Sequence, residues 1–100
     1  MAIAVYVEQP LATVDTYDAV SREMEFDRSD PPKGLIAHHA AIAPDGGMVI
    51  FDVWESQDDY QRFVDEKLRP ALEKAIGPEA ARVEPRIFEI HDVLHTGACV

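Results

Sequence analysis

Asp52 stands inside "VIFDVWES", Val49 to Ser56, a stretch otherwise made of β-branched and aromatic residues that suit a pleated, half-buried surface. A carboxylate buried there must find a partner, because an unpaired ion loses more hydration energy than packing returns. Imidazole is the natural one, since it changes charge near neutral pH. His38 and His91 lie in strand-like stretches, the first ambiguous because both of its faces are apolar apart from one histidine each. A carboxylate that orients an imidazole, which then takes a proton from an acidic C–H or a phenol, is well-founded acid–base chemistry. Asp52, His38 and His91 are therefore the candidate catalytic set. Trp54 is a candidate platform for a planar substrate, and Tyr6 could position a ligand oxygen.

Each of these residues also has a plainer reading. The histidines and Asp52 could satisfy one another across an interface, or order a water, without chemistry. Trp54 could anchor a dimer, and a strand tyrosine such as Tyr6 more often packs than binds. Two histidines and one carboxylate also make a metal-ligand set. Nothing in the spacing demands one, and His38 and His39 are adjacent on a strand and point to opposite faces. No metal and no bound cofactor are expected. The acids of "QDDYQRFVDE" read as a solvated helix face with local pairing to Arg62 and Lys67.

One hundred residues suit a single domain, 1–100, with one modest core. A formal charge of −10 argues against nucleic acid or an anionic membrane as partner, both of which attract basic surfaces. The opening "MAIAVYVEQP" lacks the basic lead and long apolar run of a signal peptide. No stretch has the length of a membrane helix. Cys99 is the only cysteine, so an internal disulfide or a cysteine zinc cluster is impossible. It reads as a tail residue without a role, and the chain as a cytoplasmic one.

The elements that must position these residues follow from periodicity. "AIAVYVE" alternates and ends at Pro10. Thr13 is a good N-cap for a helix whose stripe is Tyr17, Val20 and Met24. "DRSDPPKG" is a loop. "LIAHHAAIA", "APDGG" and "MVIFDVWE" read as two strands joined by a tight turn. Ser56 with Asp59 has the spacing of a capping box and opens a helix carrying Tyr60, Phe63, Val64, Leu68 and Leu72. Pro70 predicts a kink or a break and restart within it, with Pro70 as a first helical residue, and Gly77-Pro78 a stop. "RIFEIHDVL" is the last strand and "HTGACV" a loose tail. The order strand, helix, strand, strand, helix, strand is that of a ferredoxin-like βαββαβ α+β fold, a four-stranded antiparallel sheet with two helices on one face.

Alternation then assigns faces. Ile3, Val5 and Val7 go to the helices. Val49, Phe51 and Val53 are uniformly apolar and are expected to join them, with Phe88, Ile90 and His39. Tyr6, His38, Asp52, Trp54 and His91 are left on the open face, with Met48 and Ile50. That mixture suggests a partly enclosed cavity with a few convergent polar groups. It also suggests a homodimer, because a monomer would expose a large apolar patch.

"DGGMVIFDVWESQDDYQRFVDEKLRPAL", with "GLIAHHA" upstream and "FEIHDV" downstream, resembles the dimeric α/β-barrel superfamily. The likeness is to the antibiotic-biosynthesis-monooxygenase-like proteins and covers nearly the whole chain. The resemblance implies two sheets packed face to face as a homodimer, closing a barrel with a cavity in each protomer. Monooxygenases of this kind oxidise electron-rich aromatic polyketides without a cofactor, using a tryptophan that Trp54 resembles. The family's asparagine four positions earlier is Ile50 here. The histidine that haem-degrading relatives carry on the second helix has no counterpart in "QDDYQRFVDEKLRPALEKA". The implied function is a cofactor-independent enzyme, an oxygenase, isomerase or cyclase, acting on a hydrophobic phenolic or enolisable molecule. The alternative is a dimeric ligand-binding or structural protein without chemistry.

Overall fold

The computed structural model describes residues 2–10, 12–25, 27–78 and 84–94. Cys99 and the expected tail lie outside them. Strand β1 (Ile3–Gln9) is followed by helix α1 (Val14–Glu23), then by strands β2 (Leu35–Ile42) and β3 (Met48–Trp54). A second helical rod has three parts: α2 (Gln57–Phe63), a π-helical stretch (Val64–Leu68) and α3 (Arg69–Ile76). Strand β4 (Arg86–Glu89) completes an antiparallel sheet of order β2-β3-β1-β4. This is the ferredoxin-like α+β arrangement, with the helices on one face. Among the described residues no helix is long and apolar enough to cross a membrane.

Local chemistry accounts for the boundaries. The Thr13 hydroxyl accepts the Thr16 N–H at 3.2 Å, and the Thr16 hydroxyl accepts the Thr13 N–H at 2.8 Å, closing a reciprocal box. The Ser56 hydroxyl accepts the Asp59 N–H at 3.1 Å and starts α2. Pro70 has no N–H to give, so a regular ladder cannot run through it. The Arg69 N–H reaches back to the Val64 carbonyl instead, and Pro70 sits in the first turn of α3. The expected kink or break takes the form of a widened turn, with α3 restarting at Arg69 and Pro70. Between β2 and β3, Gly46 takes φ 105°, which a side chain would resist, and its N–H donates to Ala43 at 3.0 Å.

The register overturns part of the face assignment. Ile3 pairs with Trp54, Val5 with Asp52 and Val7 with Ile50, and paired residues share a face. Val5, Val7 and Trp54 pack with Tyr60, Phe63 and Val64 of the rod. Asp52 and Trp54 therefore lie under the helices, while Val49, Phe51 and Val53 turn to the other side. Phe51 is 41% exposed. Phe88 pairs with Ala4 and is 45% exposed, so β4 is inverted in the same way. The reason is that both sides of β3 are apolar enough to be covered. The buried carboxylate, 6% exposed, is tolerated beneath the helices because it has partners there.

Strand β2 holds a second departure from alternation. Leu35 pairs with Trp54 but Ala37 pairs with Val53, so Ile36 is the extra residue of a bulge. The bulge lets Leu35 and His38, an odd number of residues apart, face the same side. His38 pairs with Asp52 as expected, but on the helix side; His39 pairs with Phe51 on the open side.

The core is divided. One cluster joins Val5, Val7, Trp54 and Tyr60; another joins Val20 of α1 to Ala71 and Leu72 of α3. The helices lean on each other and leave space over the middle of the sheet.

Candidate active site

That space is a cavity of about 480 Å³ between sheet and helices. An engineered void of about 150 Å³ already accepts benzene, so this one has room for a molecule of more than one ring. The floor is Val5, Val7, Ile50 and Trp54, and the roof includes Val20, Phe63 and Leu72. It lies on the helix side of the sheet, not on the open face where alternation placed it.

Polar atoms converge at one place in this apolar wall. The His38 Nδ1 lies 2.6 Å from Asp52 Oδ1. A carboxylate can only accept, so Nδ1 carries the hydrogen and Nε2 is the acceptor. The Tyr17 hydroxyl donates to Nε2 at 2.6 Å, its ring inclined 10° to the imidazole. The second Asp52 oxygen accepts the Trp54 Nε1–H in a long contact of 3.4 Å. Trp54 is held in turn by Tyr60, edge-on at 5.8 Å, and by Phe63 at 5.2 Å between ring centroids. The result is a line of groups, Tyr17–His38–Asp52–Trp54, fixed on α1, β2 and β3.

The field of Asp52 reaches the surrounding phenols. Burial first, and then the nearby Asp52 charge, push the Tyr60 hydroxyl up to about 12. Burial also raises Tyr17, partly offset by its hydrogen bond with Ser21. Both tyrosines stay neutral across the ordinary pH range. An unfolded tyrosine ionises near 10, whereas Tyr60 in the fold holds its proton to about 12. The folded state therefore binds more protons in that window, and stability is lost as pH rises through it, on the order of 2 kcal/mol. Urea unfolding across pH 9–12 should show this slope in the wild type and a shallower one in Tyr60→Phe.

Of the residues singled out from sequence, His38, Asp52 and Trp54 come together. Tyr6 does not: it lies on the open face, pairing with Phe51, and donates to Glu8 at 2.8 Å. Neither does His91. The last strand ends at Glu89, and His91 follows in an exposed bend that does not line the cavity. Among the described residues no cluster of three or more histidine, cysteine, aspartate or glutamate side chains is placed to hold a metal ion. Tyr17 was read only as part of a core stripe. The signal for it was a hydroxyl-bearing aromatic on the buried side of α1, at a position that overlooks β2.

No family model matches the chain, and no curated protein does. Solved structures do. Rv0793 from Mycobacterium tuberculosis is similar at a TM-score of 0.65 and 14% identity, over 95% of this chain and 100% of that one. SnoaB, a cofactor-independent oxygenase from Streptomyces nogalater, gives 0.59 at 20% identity, over 93% and 95%. A monooxygenase from the ActVA-Orf6 gene of Streptomyces coelicolor, in complex with nanaomycin D, gives 0.60 at 16% identity, over 96% and 92%. The chain has the fold of the antibiotic-biosynthesis-monooxygenase-like proteins. At these identities the likeness extends to the ferredoxin-like architecture and leaves the chemistry to the site itself.

Proposed function

We propose that the protein is a cytoplasmic homodimer that takes a hydrophobic phenolic or enolisable molecule into this cavity and removes a proton from it. His38 is the base, Asp52 holds its tautomer and stabilises the imidazolium, and Trp54 backs the cavity wall behind Asp52. The observation that carries this reading is the 2.6 Å His38–Asp52 pair, with its carboxylate buried, opening on an apolar cavity. A phenolate or enolate formed there is the electron-rich species that dioxygen can oxidise without a cofactor. The likeness to SnoaB and to the ActVA-Orf6 monooxygenase favours that outcome over isomerisation.

The test is oxygen uptake with 1,8-dihydroxyanthrone, which has both phenols and an enolisable C–H between two aromatic rings. Wild-type protein should accelerate uptake with saturation. Tight binding without acceleration would instead favour a ligand-binding protein. That second reading is supported by the fact that the polar line is already satisfied internally, with no buried side-chain donor or acceptor left over among the described residues.

Dimerisation through the open sheet face is supported by the exposure of Phe51 on β3 and Phe88 on β4. Apolar groups of this size are costly to leave in water side by side. Phe51→Asp should convert a dimer to a folded monomer in light scattering at micromolar concentration. A wild-type monomer under the same conditions would refute the dimer.

A further inference from the structure

Both ring nitrogens of His38 are engaged, Nδ1 by Asp52 and Nε2 by Tyr17. A substrate therefore cannot reach the base without displacing the tyrosine or acting through it. Tyr17 borders the cavity. Its hydroxyl donates its one hydrogen to Nε2, and its oxygen keeps acceptor capacity. The residue is also firmly placed. Its N–H bonds to the Thr13 carbonyl at 2.9 Å, just inside the reciprocal cap of α1. Ser21, one turn further along the same helix face, lines the cavity as well.

We propose that Tyr17 is the catalytic group that touches the substrate, as the first member of a proton relay to His38. The inference rests on the acid–base reading of the cavity. The acidic O–H of a bound phenol or enol donates its proton to the Tyr17 oxygen as the tyrosine's own proton passes to Nε2. The substrate keeps the bonding pair as an oxyanion, Tyr17 ends as the neutral phenol it began as, and the imidazolium is paired with Asp52. Burial and the Asp52 charge disfavour a tyrosinate at this position, so the proton moves on to His38. The regenerated Tyr17 hydroxyl turns its hydrogen bond toward the new oxyanion, a charge-assisted contact that holds it in the apolar cavity.

The probe is 6-cyano-2-naphthol, a bicyclic weak acid that is largely neutral in neutral buffer and whose naphtholate has its own absorption band. Bound to wild-type protein, it should show that band. In Tyr17→Phe the ratio of bound naphtholate to bound naphthol should fall at least about tenfold, as expected when a hydrogen bond to a charged oxygen is lost. His38→Gln should lose the band as well. If Tyr17→Phe keeps or strengthens the band, the substrate meets His38 directly. The relay is then overturned and the acid–base site stands. If His38→Gln keeps it, the relay is equally overturned. If the wild-type protein does not bind the probe or leaves it neutral, both readings fall. A crystal structure of the wild-type complex is independent of any variant. The probe oxygen within hydrogen-bond distance of Tyr17 and out of reach of Nε2 supports the relay, and the reverse arrangement overturns it.

Discussion

Asparagine in place of Asp52 is expected to leave the chain folded and to slow oxidation of the anthrone by about 10²–10⁴-fold, the usual contribution of a positioned acid–base group. The side chain keeps its shape and can still offer an oxygen to the His38 N–H. It loses the charge that stabilises the imidazolium, and its amide N–H, turned toward Nδ1, selects the wrong tautomer. Because this interaction strengthens only as the proton moves, kcat should fall while KM changes little. A pair that serves only structure would respond in the opposite sense. Its main loss would be stability, since one buried partner is left mismatched. Oxygen-uptake kinetics and thermal unfolding on the same preparations separate the two. Unchanged turnover and affinity, with a markedly lower melting temperature, would remove Asp52 from the chemistry.

The largest effect on stability should come from Trp54→Ala, at about 3–5 kcal/mol. Trp54 is 1% exposed, buried among Val5, Val7 and Tyr60. The indole already borders an open space, so its neighbours have little to collapse onto, and the cost should lie toward the upper end. Urea unfolding measures it directly. A loss below about 1 kcal/mol, as at surface sites, would place the indole outside the core. Trp54→Phe should recover much of the stability but not the contact to Asp52, which separates the packing role from the polar one.

Much of the fold was legible because its signals are local. The caps at Thr13 and Ser56, the turn around Gly46 and the discontinuity at Pro70 each follow from what one or two side chains can do to the nearby backbone. That Asp52 would face a cavity and meet a histidine or a tyrosine was legible too; that the histidine is His38 follows from the register of the hairpin. Which side of the sheet they occupy was not. Val49, Phe51 and Val53 look like a core face, and they would be one if only the helices could cover them. The extra residue at Ile36 also makes counting from Leu35 give the wrong parity for His38. Tyr17 was hidden for a different reason. A tyrosine in a helical stripe reads as packing until the strand opposite places the His38 imidazole within 2.6 Å of its hydroxyl. His91 was misjudged because the apolar run continues past the point where β4 stops pairing.

The bulge at Ile36 has a consequence for how copies of this chain can meet. A sheet with free edges is a template on which further strands can add, and the end of that road is a fibril. Here β2 and β4 are the two edges. The first is interrupted by the bulge, which breaks the regular spacing an incoming strand would need. The second offers only the four residues Arg86–Glu89. Both rims are poor templates, whereas the broad face leaves Phe51 and Phe88 exposed. In the homodimer proposed above, pairing through that face would end growth at two copies, where strand addition at the rims would not end.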